Sequence, residues 1–315
     1  MHTHDTHDTH EPRIERIAPG GIGGLPPLAR ALGRVVAAVD VPHRRIVQRN
    51  LRFAYPGWSE RRVRETTRRV FQHAAATVAE ILQMTRLDRE AILRGARVSG
   101  EEFLGRALHE RRGLITMSAH LGNWEMALQY ASCFLDVPVT GVAKKLRLAP
   151  LQGWVHRFRT RFGARIAYKE GSLGDMSQAL RRREVVSILV DQSRRSEGLE
   201  VRYFGRRVTT TPAVAMLALR CRSPVMPVFC VREPCGGLHI RVEPALEIQR
   251  TGRLRDDLRV NTQRVTDAVE RMVRRYPEQW LWMHKRFKKF YPDLYPEYQA
   301  RRLRRRRKRR REPFA

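Results

Sequence analysis

The sequence predicts an α/β protein, a central sheet flanked by helices, and three observations carry that prediction. Apolar runs of strand length at 137–142, 164–168, 185–190, 225–231 and 238–242 are separated by segments of helical spacing at 149–161, 173–183 and 213–220. A further apolar run at 114–117 leads into Ser118-Ala119-His120-Leu121-Gly122-Asn123-Trp124-Glu125, and the segment beyond it reads as a helix. A strand would therefore deliver the histidine at its carboxyl end, where open α/β sheets usually place chemistry. With 315 residues, 42% of them apolar, the chain is long enough to bury a large core and fits a globular protein.

Taken in order, residues 1–24 read as a disordered leader. His2, His4, His7 and His10 stand there among threonines and aspartates, a spacing that could hold a metal ion loosely. The segment lacks the charged-then-apolar pattern of a secretory signal, so export is not expected. Pro19-Gly20-Gly21-Ile22-Gly23-Gly24 does not follow a strand as a nucleotide-binding loop must, and no phosphate role is assigned to it. Residues 25–43 are predicted as an amphipathic, membrane-associating helix: Pro26 and Pro27 open it, and Leu28, Leu32, Val35, Val36 and Val39 recur at helical spacing among Arg30, Arg34 and Asp40. It is charged and shorter than the roughly twenty apolar residues a bilayer span needs, so it would lie on a membrane rather than cross it. An ordinary amphipathic helix packed on the domain is the competing reading.

Ser59 is the expected N-cap of a long helix whose apolar face runs through Val63, Val70, Phe71, Ala74, Val78, Ile81 and Leu82. Glu80 lies on that face, as a structurally paired or solvated carboxylate or as one reaching the site. Arg61, Arg62, Arg64, Arg68 and Arg69 make the same helix basic. A last helix is predicted over 256–275, with Leu258, Val265, Val269, Met272 and Val273 inward. No internal repeat or linker divides 44–295, which is read as one catalytic domain, and 296–315 as a basic disordered tail.

The formal net charge of +30 is the compositional outlier, and removing the ten basic residues among 301–311 still leaves about +20. An acidic partner or surface is implied: anionic lipid, a phosphorylated glycolipid, an acidic carrier protein or nucleic acid. Cys133, Cys221, Cys230 and Cys235 form no CxxC pair, so they read as reduced thiols, mostly in the core.

Five residues on a regular helix turn two side chains about 140° apart, so His120 and Glu125 cooperate best if the histidine lies on the turn and the glutamate in the first helical turn. Gly122 permits such a turn. Glu125 would accept a hydrogen bond from one ring nitrogen, leaving the other to take a proton from a hydroxyl. Backbone N–H groups around Gly122 and Asn123 would face a developing oxyanion. An arbitrary pair at this spacing is more often structural or superficial. Lys144, Lys145, Arg147, Arg157, Arg159 and Arg161 follow within forty residues, as phosphate-gripping cations or as ordinary surface. Asp191 and Gln192 end the strongest internal strand and would enter the crevice of His120, with an arginine pair as the rival reading for Asp191. Thr209, Thr210 and Thr211 would either close an acyl groove or cap the helix after Pro212. Trp280, Trp282, His284, Lys285 and Arg286 combine aromatics with cations as membrane-interface surfaces do, although the tryptophans could be core.

The stretch from His120 to Glu125 resembles the HxxxxE motif of the lipid A late acyltransferases, bacterial enzymes that add secondary acyl chains to the lipopolysaccharide precursor. Further blocks match in the same order: Arg44-Arg45-Ile46-Val47-Gln48-Arg49-Asn50-Leu51 with Tyr55-Pro56, then Leu189-Val190-Asp191-Gln192, Thr210-Thr211-Pro212, and 277–288. Together they cover roughly residues 44–289. The resemblance implies a glycerolipid-acyltransferase-like mixed sheet, with His120 as general base and Glu125 orienting it. It also implies substrate-binding roles for Gly122, Asn123, Arg159, Asp191 and Gln192. No metal or other cofactor is expected. The implied donor is acyl-acyl carrier protein and the implied acceptor a hydroxyl of a lipid A precursor, at an anionic membrane surface on the cytoplasmic face of the inner membrane, with peripheral attachment. Related enzymes acylate phosphatidylinositol mannosides, so another glycolipid is the nearest alternative. A nucleic-acid-binding protein is the rival class, but no zinc finger, RNA-binding motif or interleaved basic and aromatic stretch supports it, and no nucleic acid is expected. A hydrolase is disfavoured by the lack of a GxSxG elbow.

Overall fold

The computed structural model describes residues 27–168, 172–193, 198–234 and 236–298. The expected leader, residues 299–315 of the expected basic tail, Pro26 and Cys235 lie outside the described residues. Residues 296–298, assigned to that tail, are described, and Glu297 pairs with Arg49 at 2.9 Å and Lys285 at 3.0 Å. In chain order the elements are α1 (Pro27–Val39), α2 (Val41–Ala54), α3 (Glu60–Met84), α4 (Arg89–Arg94), β1 (Ala96–Ser99), α5 (Glu101–His109) and β2 (Leu114–Ser118). Next come α6 (Trp124–Phe134), β3 (Val139–Ala143), α7 (Ala149–Thr160), β4 (Arg165–Tyr168), α8 (Ser172–Arg181) and β5 (Val185–Leu189). The chain continues through β6 (Leu199–Tyr203), β7 (Arg206–Thr210), α9 (Ala213–Cys221), β8 (Val225–Arg232), β9 (Leu238–Val242) and α10 (Leu254–Arg275).

Seven strands form one mixed sheet in the order β1-β9-β8-β2-β5-β3-β4. Every neighbouring pair is parallel except β8 with β9. The predicted α/β class with a mixed sheet and flanking helices is what the chain adopts. Strand side chains alternate between two apolar layers. Ile115, Met117, Val186, Ile188, Phe229 and Val231 pack into the larger core, with Trp280, Trp282 and the inward residues of α10. Leu114, Val185, Met226, Cys230 and Ile240 face the smaller one, with Ile92 and Met126. Trp280, Trp282 and Arg286 are buried, which corrects the expected membrane-interface surface. The indole N–H of Trp282 finds the Pro277 carbonyl at 2.6 Å, so the ring can be core without an unpaired donor.

The register of β2 with β5 places the candidate chemistry. Ser118 stands opposite Leu189, and the ladder runs one step further, Val190 N–H to Ser118 carbonyl at 3.0 Å. Two residues beyond each strand end come His120 and Asp191, so equal overhangs bring them side by side.

α1 lies inside the predicted segment 25–43, starting two residues after it and ending four before it, and its packing resolves the two readings of that segment. Ala29, Gly33 and Ala37 press against α3, and a Cβ on Gly33 would stand 2.5 Å from Gln72 Cα, so only glycine allows this approach. The larger apolar residues point the other way, Leu28 at 79% and Val39 at 71% exposed. The helix is therefore both docked on the domain and apolar outward. Asp40 caps α2 by accepting from His43 N–H, and Arg44 Nη1 donates to the last carbonyls of α1, Ala37 at 2.8 Å and Ala38 at 3.0 Å. Asn50 ties the first resembling block to the last: its amide donates to the Trp282 and His284 carbonyls at 2.7 and 2.9 Å. No helix among the described residues is long and apolar enough to cross a membrane.

The hairpin of β6 and β7 was not expected from the sequence. Phe204 (φ 52°) and Gly205 (φ 70°) form its two-residue turn, the left-handed pair that such a connection needs. Phe204 N–H donates to Glu270 Oε2 at 2.5 Å, which helps hold a non-glycine residue there. Thr209 and Thr210 end β7 and are held by Arg286, whose guanidinium donates to the Thr209 carbonyl and Thr210 Oγ1, each at 2.6 Å. Pro212 is the N-cap of α9, which has no side-chain cap, and the Thr211 hydroxyl before it accepts from Ala213 N–H at 3.3 Å.

Candidate active site

Gly122 makes the turn between β2 and α6. Its φ is +61°, and a Cβ there would fall 1.9 Å from the Cys230 carbonyl oxygen, so both backbone conformation and space demand glycine. The turn is pinned on every side. Gly122 N–H donates to the Gln279 carbonyl at 3.0 Å, Asn123 N–H to the Cys230 carbonyl at 2.9 Å, and Leu281 N–H to the His120 carbonyl at 3.0 Å. These bonds correct the expectation that the Gly122 and Asn123 amides face an oxyanion. Asn123 instead caps α6, its side chain accepting from Met126 N–H at 2.9 Å and donating to Glu80 at 2.8 Å.

His120 Nδ1 donates to Asp191 Oδ1 at 2.9 Å, since a carboxylate can only accept. Asp191 Oδ2 also accepts from His120 backbone N–H at 3.0 Å and from the Trp280 indole at 2.8 Å. Three donors converge on one buried carboxylate, so Asp191 is held well below the usual carboxylate range. Burial opposes this, but the charge of His120 and these hydrogen bonds outweigh it. His120 is raised above its ordinary value. Burial again works against charge, the charge and hydrogen bond of Asp191 outweigh it, Glu125 adds to them and Arg159 opposes. With Nδ1 committed to Asp191, Nε2 carries the acceptor lone pair of the neutral ring. The Gln192 amide comes to 3.4 Å from Nε2.

Glu125 does not contact His120 by a hydrogen bond, which corrects the expected pairing. Arg159 Nε grips both of its oxygens, at 3.2 and 3.0 Å, Arg159 Nη2 makes a further short bond, and Trp124 Nε1 donates at 3.1 Å. The histidine lies on the turn and the glutamate in the first turn of α6, as the spacing reading required, but Glu125 faces α7, where Gln129 holds the Phe158 carbonyl at 3.0 Å and so fixes Arg159 in reach. Arg159 is raised above its usual value, burial being outweighed by the hydrogen bond and charge of Glu125. Of the other cations, Lys144, Lys145, Arg147 and Arg157 are surface residues, and Arg161 is held by Gln129 at 3.1 Å.

A buried network behind the turn went unread in the sequence. Arg232 forms a two-point pair with Glu80 at 2.7 and 2.5 Å and donates to Thr77 at 2.6 Å, while Gln279 bonds both backbone groups of Arg232 at 2.8 Å. Thr77 in turn donates to the Gly122 carbonyl at 3.0 Å. Glu80 on an apolar helix face and Arg232 closing an apolar strand were the available signals. On the far side His284 Nε2 accepts from Ser193 N–H at 3.1 Å and fixes the segment after Asp191. Burial, with Lys288 and Arg286 nearby, pushes His284 down to about 3, so it is neutral and able to accept.

Two cavities meet at Trp124. One, of about 500 Å³, lies between α3 and the turn and is lined by His73, Val78, Ile81, His120 and Leu281. The other, of about 690 Å³, runs under α5 and α6 along the sheet. Its floor combines Thr116, Ser118 and Ser187 with the apolar Val185, Leu189, Val228 and Ile240, while Ala127 and Ala131 form part of its roof. Where Thr116, Ser118 and Ser187 stand under Ala127 and Ala131, the small side chains leave room between the larger apolar ones.

A histidine held by a buried carboxylate at the strand ends, with an apolar cavity across Trp124, is an arrangement that acyl transfer to a hydroxyl calls for. The family model for bacterial lipid A biosynthesis acyltransferase matches residues 24–289, and the chain belongs to that family. It is 24% identical over 264 residues to the lipid A biosynthesis lauroyltransferase of Escherichia coli (strain K12), covering 83% of this chain and 84% of that one. It is 25% identical over 294 residues to the lipid A biosynthesis myristoyltransferase of the same organism, covering 86% and 85%. It is also 25% identical over 191 residues to the phosphatidylinositol mannoside acyltransferase of Mycobacterium tuberculosis (strain ATCC 25618 / H37Rv), covering 58% and 57%.

Proposed function

We propose that this O-acyltransferase moves a medium-length acyl chain from an acyl carrier protein thioester to a hydroxyl of a lipid A precursor. The observation that carries the chemistry is the 2.9 Å bond from His120 Nδ1 to Asp191, which leaves Nε2 as the base. His120 Nε2 takes the proton of the acceptor hydroxyl as its oxygen bonds to the thioester carbonyl carbon. The C–S bond then breaks and the thiol leaves with that proton. Asp191 stabilises the imidazolium, Gln192 donates to the reacting oxygen, and Glu125 with Arg159 fixes Trp124, the wall between the two cavities. Gly122 and Asn123 act by shaping the turn.

The channel supports the chain-length part of the reading. Val185 and Leu189 both line it, and four strand residues span about 13 Å. A zigzag of ~1.5 Å carbon–carbon bonds at ~111° advances about 1.25 Å per carbon, so roughly ten carbons fit. The net charge of +30 suits an acidic carrier and an anionic membrane. The outward apolar face of α1, with Val78 and Leu82 exposed on α3, suits peripheral attachment at the cytoplasmic face of the inner membrane. A second reading, transfer to a phosphatidylinositol mannoside, draws on the mycobacterial relatives, whose matches span less of this chain, 58% to 64%, than the lipid A relatives' 83% to 86%.

The test is transfer of a labelled chain from acyl carrier protein to a purified Kdo-bearing lipid A precursor, with donors of eight to sixteen carbons. Transfer that peaks at about ten carbons and is lost in His120→Ala supports the reading. Donor consumption only with another glycolipid would replace the acceptor, and wild-type activity in His120→Ala would remove the chemistry.

A further inference from the structure

On the opposite face of the sheet from the channel, a serine, a histidine and a glutamate stand in line. His239 Nε2 lies 2.8 Å from Ser99 Oγ, and His239 Nδ1 lies 2.7 Å from Glu233 Oε1. The carboxylate cannot donate, so its contact calls for a protonated Nδ1. The Arg97 and Arg241 guanidiniums, at 3.0 and 3.3 Å from the same nitrogen, can only donate, but the shorter contact to a full negative charge decides for Nδ1–H. Nε2 is then the acceptor, and the Ser99 hydroxyl donates to it. That is the arrangement that activates a nucleophile: hydroxyl on base, base on an orienting carboxylate. The imidazole is buried, and burial together with Arg97 and Arg241 holds it below its ordinary value against the bond from Glu233. Its resting form is the neutral one a base must have.

The strands explain how the three meet. β1 pairs with β9 so that Arg97 stands opposite His239 and Ser99 opposite Arg241. Val231 stands opposite His239, and Glu233 lies two residues beyond it. All these side chains share one face, while Val98 and Ile240 line the channel on the other. β1 is the outermost strand, three spacings or about 14 Å from β2, so its free edge is open to a ligand and separate from His120. Ser99 is half-buried, Arg97 is exposed, and the Arg97 and Arg241 guanidiniums come to 3.0 and 3.3 Å from His239 Nδ1. Both guanidiniums also lie 3.7 Å from Glu233 Oε1, so two cations share one carboxylate, and the positive charge left over beside the site selects a negatively charged substrate.

We propose that Ser99, His239 and Glu233 form a second, nucleophilic site that hydrolyses carboxylic esters bearing a negative charge. Ser99 Oγ bonds to the ester carbonyl carbon and its proton passes to His239 Nε2. The carbon–oxygen bond to the alcohol breaks, and the alcohol leaves with that proton. Water then adds to the acyl-serine, His239 takes and returns one proton, and the acid departs with Ser99 restored. Arg97 and Arg241 bind the charge on the substrate, and Glu233 holds the tautomer.

The experiment exposes the full-length protein to a fluorophosphonate probe, maps the modified peptide, and compares hydrolysis of p-nitrophenyl acetate with that of the mono-p-nitrophenyl ester of succinate. The wild type and His120→Ala are expected to be labelled at Ser99, Ser99→Ala unlabelled there, and His239→Gln labelled about a hundredfold more slowly. Glu233→Gln, which keeps the shape of the side chain, is expected to slow labelling by roughly tenfold. A wild type unlabelled at Ser99, or a labelling rate unchanged in His239→Gln, overturns the site. The succinate ester is expected to react faster, with the preference lost in Arg97→Ala, and equal rates for the two esters in the wild type overturn the substrate class.

Discussion

Asp191 and Glu125 are equally buried, each 5% exposed, and both flank the turn that carries His120, yet one is bound to the imidazole and the other to a guanidinium. Glu125 is five residues from the histidine and Asp191 is 71 away. What decides between them is strand register. β2 and β5 end level and overrun by the same two residues, which sets Asp191 against the ring, whereas the first turn of α6 swings Glu125 toward Arg159. The two clusters also differ in charge. Arg159 is hydrogen-bonded to Glu125 and offsets it locally. The hydrogen-bond donors to Asp191 are the imidazole, the His120 amide and the Trp280 indole, with no guanidinium among them, so its charge acts more strongly on His120.

That contrast can be broken in a graded series. Replacing His120 with alanine is expected to lower acyl transfer the most, by roughly 10³-fold or more, measured as kcat/KM with the protein still folded. Asp191→Asn is expected to follow at roughly 10²- to 10³-fold, because the ring loses its orienting acceptor. Glu125→Gln should cost only about tenfold, through Trp124 and Arg159 rather than through the base. Equal losses in the two variants would erase the distinction. Behind both clusters, Glu80→Ala strands Arg232 as a buried unpaired charge and is expected to destabilise the fold by about 3–5 kcal/mol in denaturant titration. The smallest expected effect on the chemistry is that of Ala131→Leu. By filling the channel roof it should shift the preferred donor about two to four carbons shorter with little change in rate on short donors. An unshifted preference would remove the channel from the account.

Much of the fold was legible. Apolar runs and helical spacing located β3, β4, β5, β8 and β9 and the helices α3 and α7 to α10 within about two residues, and α1 within about four, because those signals are local. β1 has four residues and the β6–β7 turn uses Phe204 at positive φ, so neither offered a sequence signal. In the site, the turn at Gly122 and the position of His120 followed from local spacing. The choice of Asp191 over Glu125, the burial of Trp280 and Trp282, and the pairing of Glu80 with Arg232 are long-range outcomes of register and packing, which residue types alone do not encode. The tryptophans show the limit clearly: next to His284, Lys285 and Arg286 they resemble an interface, and only the fold turns them inward.

The central claim is that Asp191 sets the protonation of the catalytic base, and titration of the His120 ring by NMR in the wild type, Asp191→Asn and Glu125→Gln tests it most directly. Asp191 favours the imidazolium, so the wild-type ring is predicted to lose its proton above its ordinary 6.5, and kcat/KM to rise with pH through the same value. Asp191→Asn should lower that titration well below the wild type's, and Glu125→Gln should lower it less. A larger drop in Glu125→Gln than in Asp191→Asn would contradict the account and return the role of partner to the glutamate.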